Sequence, residues 1–150
     1  MKKTLRYNYR INPTPEQEAK LIEFGATARG IWNLLLSENI RRYEYDKTFL
    51  FYKEMASLLK EIKPFEEFSW IKAFDSAAAQ QVARDLESAM KNAFSKQRLQ
   101  RFPKHKISYK KKKLHNDSFR AVNNANCIRI ENGAISIPKV GKVPIILHRK

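Results

Sequence analysis

The chain has 150 residues, 43% of them hydrophobic, which is enough to bury one ordinary core and excludes wholesale disorder. Sixteen of its thirty Lys and Arg fall in residues 91–150 against only Asp117 and Glu131, so that stretch holds +14 of the +15 net charge, the mark of a surface that meets a polyanion. The single Cys127 excludes an internal disulfide and a CxxC zinc knuckle, His105, His115 and His148 match no metal spacing, and no apolar run reaches the ~18 residues a bilayer span needs.

In chain order, Leu5, Tyr7, Tyr9 and Ile11 alternate with Arg6, Asn8 and Arg10, a period of two that predicts a half-buried first strand. Thr14-Pro15-Glu16-Gln17 then reads as a helix start, with Thr14 as cap, Pro15 where a missing N–H costs nothing, and Gln17 closing a capping box. Apolar residues from Leu21 to Leu36 recur three and four apart, with Gly25 and Gly30 as the expected bends, and the pattern fades at Arg41–Glu44. A second helix is predicted over Tyr52 to Ile62, stopped by Pro64, and a helical turn around Trp70, Ile71 and Phe74. From Asp75, a plausible N-cap, to about Arg98 there is no Gly or Pro, and Val82, Leu86, Ala89, Met90, Ala93 and Phe94 form one stripe.

After Phe102-Pro103 the run Lys110 to Lys113 lacks helical periodicity and reads as a basic loop. Ile128 and Ile130, Asn132-Gly133, then Ile135 and Ile137 predict a hairpin, because Asn-Gly supplies the positive φ angles of a type I′ turn. Pro138 to Gly141 turn again into Val143, Ile145 and Leu147. The isolated first strand can find a partner only among these C-terminal strands. The fold class expected is therefore α+β: a small, incomplete antiparallel β-barrel with an inserted α-helical bundle. Its parts would be residues 1–12 for the first strand, 13–100 for the bundle, and 101–150 for the basic loop and remaining strands.

Several stretches together resemble one family, in order and spacing: Arg10-Ile-Asn-Pro-Thr-Pro-Glu-Gln17, Ala28-Arg29-Gly-Ile-Trp-Asn33, Ser69-Trp-Ile71, Gln80 with Leu86 and Ala89, Phe102-Pro103-Lys104, and Ile135-Ser-Ile-Pro-Lys-Val-Gly141. The chain is similar to the N-terminal part of the OrfB/TnpB proteins of bacterial insertion sequences, a region labelled a helix-turn-helix transposase domain. The resemblance implies a wedge-like barrel interrupted by a recognition bundle. It also implies a place beside a later RuvC-like nuclease domain, since full-length members are RNA-guided DNA nucleases related to compact CRISPR effectors. The family's nuclease carboxylates and zinc cysteines lie beyond His148-Arg149-Lys150, so this chain is expected to be non-catalytic, with no cofactor and no metal.

By the same resemblance, Tyr52, Ser57, Gln80 and Asn124 match the surface that reads a short target-adjacent DNA motif; Gln and Asn present the donor and acceptor together that suit an adenine edge. Ser76 stands where the family often has Lys. For RNA or phosphate contact, charge and place select Arg6, Arg10, Lys96, Arg98, Arg101, Lys104, Lys106, Lys110, Lys111, Lys112, Lys113 and Arg120. Tyr7, Tyr9, Trp32 and Trp70, on apolar faces, are expected in the core rather than as stacking platforms. Asn123, Asn124 and Asn126 have a blander reading as loop chemistry, and Cys127 as a small buried hydrophobe.

The expected partners are structured RNA, duplex DNA or both, with no membrane and a setting in the bacterial or archaeal cytoplasm at the nucleoid. The favoured function is a nucleic-acid-binding module of a transposon-associated protein. The alternatives are one half of a split nuclease that needs a RuvC-like partner chain, a DNA-binding repressor, or an inert remnant. Open sheet edges would also let two copies pair as an edge-strand homodimer.

Overall fold

A computed structural model describes residues 8–93, 107–111, 117–123 and 126–146. The described residues fall into two compact units, one drawn from the stretches 1–21 and 123–150, the other from 22–122.

The first unit is built on an antiparallel sheet of β1 (Arg10–Ile11), β2 (Ile130–Glu131), β3 (Ala134–Ile137) and β4 (Gly141–Ile146), in the order β1-β4-β3-β2. As the sequence required, β1 pairs with a C-terminal strand, Ile11 opposite Ile145. The β2–β3 hairpin sets Glu131 opposite Ala134 across Asn132 and Gly133, whose φ angles of 52° and 73° are both positive, as a type I′ turn demands. Gly133 is the residue that tolerates this geometry without strain.

Pro144 lies within the central strand β4, a place proline normally avoids because it cannot donate to the ladder. Its carbonyl accepts the Asn12 N–H at 2.7 Å, so the face lacking a donor is turned toward β1, at the point where β1 has already ended. The proline therefore sits where the ladder stops. The first strand expected from Leu5 reaches only Arg10–Ile11 among the described residues, residues 1–7 lying outside them. The four described strands make an open sheet, and closure into a barrel is not seen among them.

Helix α1 (Pro15–Asp46) starts in this unit with the predicted capping box. The Gln17 N–H donates to Thr14 Oγ1 at 3.3 Å and the Thr14 N–H to Gln17 Oε1 at 3.0 Å, so two end donors are satisfied reciprocally. Gln17 Nε2 also donates to the Lys142 carbonyl at 2.7 Å, tying the helix start to β4.

The second unit contains the rest of α1 with α2 (Tyr52–Ile62), a 3-10 turn at Glu66–Phe68, α3 (Ser69–Lys72) and α4 (Ser76–Ala93). The α2 bounds are those the sequence predicts. Asp75 caps α4, its Oδ2 accepting the Ala78 N–H at 3.3 Å. Ile31 and Leu35 from α1, Met55 and Leu59 from α2, and Val82, Leu86 and Met90 from α4 are buried together with Ile71 and Phe74. Stripes three and four residues apart bring these faces together.

Helix α1 runs without a break through Gly25 and Gly30. The missing side chains serve close approach: a Cβ at Gly30 would lie 3.0 Å from the Trp70 ring, and one at Gly25 would lie 3.0 Å from Asp117 Cβ. The expected core placement of the aromatics fails in part. Tyr9 and Trp70 are 40% and 38% exposed, Trp32 is half-buried, and Tyr7 lies outside the described residues. The Trp70 ring lies against Gly30, with its indole N–H bonded to the Glu67 carbonyl at 3.2 Å, and so stays partly at the surface.

Candidate nucleic-acid interface

Helices α2 and α4 flank a groove of about 460 Å³ within the helical unit. Ser57, Lys60 and Lys63 line it from α2 and the residue after it, and Ser76 and Gln80, one turn apart on α4, line the other side. None of its lining residues is acidic. Tyr52, at the start of α2, reaches across so that its hydroxyl donates to Gln80 Oε1 at 3.3 Å. The Gln80 amide N–H groups and a second lone pair on Oε1 are left to present to a ligand. The Arg84 guanidinium, one turn beyond Gln80, lies 3.9 Å from the centre of the Tyr52 ring and fixes it from above.

Three of the four residues selected for DNA reading, Tyr52, Ser57 and Gln80, are thus brought to one face by two helices; Asn124 lies outside the described residues. Sequence reasoning missed Lys60, Lys63 and Arg84. The signal was present for two of them, since Ser57, Lys60 and Lys63 recur every three residues and must share a side of α2.

The basic segment is held along the helices. Asn33 on α1 grips the Lys110 backbone at both ends, with the Lys110 N–H donating to Oδ1 at 2.7 Å and Nδ2 donating to the Lys110 carbonyl at 2.9 Å. The Trp32 indole N–H donates to the Ser108 carbonyl at 3.2 Å, and the Lys110 ammonium lies 4.5 Å from the Trp32 ring centre. Ser37 and the Tyr109 hydroxyl share a 3.0 Å hydrogen bond.

Farther along, Asp117 forms an ion pair with Arg29, and Phe119 joins Phe24 and Phe74 in an edge-to-face triad with centroid distances of 5.6 to 5.9 Å. Arg120 pairs with Asp85 at 2.8 Å. Of the cations chosen for phosphate contact, Lys110 and Lys111 are exposed on this anchored segment, Arg10 is exposed on β1 in the other unit, and Arg120 is paired with Asp85 while its side chain stays exposed. Arg6, Lys96, Arg98, Arg101, Lys104, Lys106, Lys112 and Lys113 lie outside the described residues. No group of three or more His, Cys, Asp or Glu among the described residues is arranged to hold a metal ion, and no described helix is long and apolar enough to cross a membrane.

Comparison with known proteins shows the same affinity as the sequence motifs. A helix-turn-helix domain model of OrfB insertion-sequence proteins matches residues 1–48. The chain aligns with InsQ, a candidate RNA-guided DNA endonuclease of Escherichia coli (strain K12), at 32% identity over 141 residues, 94% of this chain. The chain belongs to the OrfB/TnpB family. It corresponds to that family's N-terminal region and spans about a third, 33%, of the length of the curated relative it matches. The helix-turn-helix match covers β1 and α1 and ends inside the connection 47–51 that leads into α2. The matched helix-turn-helix region ties the chain to the proteins of transposable insertion sequences.

Proposed function

We propose that this chain is the non-catalytic N-terminal module of a TnpB-like protein, in which the α2/α4 groove reads a short DNA motif and the basic segment holds structured RNA. The observation that carries the reading is that Ser57 and Gln80, the latter hydrogen-bonded by Tyr52, line one groove with Lys60 and Lys63 and without an acidic residue. Gln80, oriented by Tyr52, offers a base edge a donor and an acceptor on a rigid helix, and Lys60 and Lys63 offer phosphates their ammonium groups. Lys110 and Lys111, on a backbone fixed by Asn33, supply sequence-independent phosphate contact, to which the basic residues outside the described set would add.

In this reading residues 1–12 and 101–150 form a wedge-like, incomplete barrel and residues 13–100 the recognition bundle inserted into it. The module works in the cytoplasm at the nucleoid. The outer edge of β2, unpaired among the described residues, is where a further strand would add, from a RuvC-like nuclease partner chain that supplies cleavage or from a second copy.

The test is binding of the purified protein to a randomised duplex library and to structured RNA over a range of salt. Gln80→Ala is expected to lose about 1–3 kcal/mol of discrimination at one base pair while retaining non-specific affinity. Lys111→Ala should weaken all sequences alike and flatten the log–log salt slope by ~0.7 to 0.9. An affinity for RNA and DNA that does not change between low and physiological salt would sink the reading.

A further inference from the structure

Half of the ten residues from Tyr43 to Tyr52 are aromatic, a density far above the 11% of the whole chain, and they surround the turn between α1 and α2. Tyr45 is 88% exposed, and Tyr43 and Phe51 are 44% and 43% exposed. Tyr43 is stacked on Phe49 with ring centres 4.9 Å apart and planes 14° apart, and the Lys47 ammonium lies 4.9 Å from the Tyr43 ring centre. Tyr45 lines a groove of about 670 Å³ between α1 and α2 together with Leu50 and Leu58, and its charged lining is balanced, Arg41, Arg42 and Lys53 against Glu38, Glu54 and Glu61.

The turn that displays these rings is tightly bound. Lys47 takes a left-handed φ of 63° and closes the helix by donating its N–H to the Tyr43 carbonyl at 2.9 Å. The Asp46 carboxylate accepts both the Thr48 N–H, at 3.0 Å, and the Thr48 hydroxyl. Asn39, 1% exposed, accepts the Leu50 N–H at 2.6 Å. A turn ordered in advance loses little entropy when a ligand lands on it.

Residues 38–54 carry four basic and four acidic side chains, so this surface offers a polyanion no net charge. What it offers is ring faces. The remainder of a chain with +15 net charge supplies the long-range attraction. Arg41 and Arg42 are paired with Glu38 and Asp46, so an unpaired base would be held here by its ring face and not through its phosphate.

We propose that the α1/α2 groove is a second nucleic-acid site, which takes an unpaired nucleobase stacked on Tyr45. The site rests on the nucleic-acid-binding reading above but is separate from the α2/α4 groove, Ser57 on α2 lining both. It predicts a contribution that depends on bases and not on salt, the reverse of the contribution from Lys110 and Lys111.

The experiment is fluorescence anisotropy with a labelled single-stranded oligothymidylate and its abasic counterpart of equal length and charge. The protein is expected to prefer the base-bearing strand. Tyr45→Ala should lower affinity for that strand about tenfold, while leaving the abasic strand and the salt slope unchanged, and Tyr45→Phe should retain the preference. At 88% exposure the Tyr45 ring makes too little internal contact for its loss to unfold the helix. If Tyr45→Ala leaves the preference for bases untouched while Lys111→Ala still weakens both strands, the stacking site is overturned, the nucleic-acid reading stands, and the groove is left to a protein partner. If the unaltered protein binds neither strand, both readings fall.

Discussion

The helical unit and the sheet unit hold their shapes by different means. In the helical unit the interior is built from side chains: Ile31, Leu35, Met55, Ile71, Ala78, Ala83 and Leu86 are all buried to 0% exposure. In the sheet unit Val143 is the one buried apolar residue among the described residues, and β3 is half-buried along its length. The sheet unit relies instead on its ladder, the type I′ turn and the Thr14–Gln17 capping box. A small module cannot bury enough surface to do otherwise. The difference explains where the candidate sites lie, since functional side chains need supports locked by packing, and both the reading groove and the aromatic turn are on the packed helices.

Core truncation would break or sharpen this comparison most strongly. Leu86→Ala should destabilise the protein by about 2–5 kcal/mol in urea unfolding, because it removes a fully buried side chain from a dense interior. Val143→Ala should cost about 2 kcal/mol, the transfer of two methyl groups with little cavity around them. Equal costs would show that the sheet has a core as developed as that of the helices.

Asn33→Ala should have a smaller effect, about 1 kcal/mol for two exposed hydrogen bonds to the Lys110 backbone. Its signature is local: faster amide exchange at Lys110, a few-fold loss of RNA affinity, and no change in discrimination by Gln80. A loss of discrimination as well would mean that the basic segment and the groove are not separable parts of the helical unit.

The smallest effect concerns the aromatic turn. The Thr48 hydroxyl, with its backbone N–H and Arg42, holds Asp46 below the ordinary aspartate value of 3.8, against a lesser opposing effect of burial. A carboxylate with a depressed folded value contributes order that is fully present above its unfolded value and is lost as pH falls through the folded one. The turn should therefore stay ordered at neutral pH and loosen only on acidification below about pH 3.8, seen as accelerated exchange of the Thr48 amide. Loosening already at pH 6 would remove Asp46 as its clasp.

Much of the chain's architecture is a matter of local chemistry. Thr14, Pro15 and Gln17 place the start of α1 by capping, and Asp75 places that of α4. Asn132-Gly133 fixes the hairpin register because few residues accept two successive positive φ angles. The spacing of Met55, Leu58, Leu59 and Ile62 defines α2, and one unpaired strand at the start implies β1 against β4. Family motifs also supplied Tyr52, Ser57 and Gln80.

Other features depend on which neighbour arrives, and local pattern is blind to that. That Trp70 and Asp117 lie against Gly30 and Gly25 is not written in the helix's own sequence. The sequence reads the lysine run as a basic loop but does not show that Asn33, seventy-seven residues away, holds the Lys110 backbone, nor that Asp85 lies beside Arg120. Sequence by itself determined the elements and their order, because caps, turns and periodicity act within a few residues. Only the tertiary structure decided which side chains share a groove and which cations remain free for a ligand, because those outcomes rest on contacts between residues far apart in the chain.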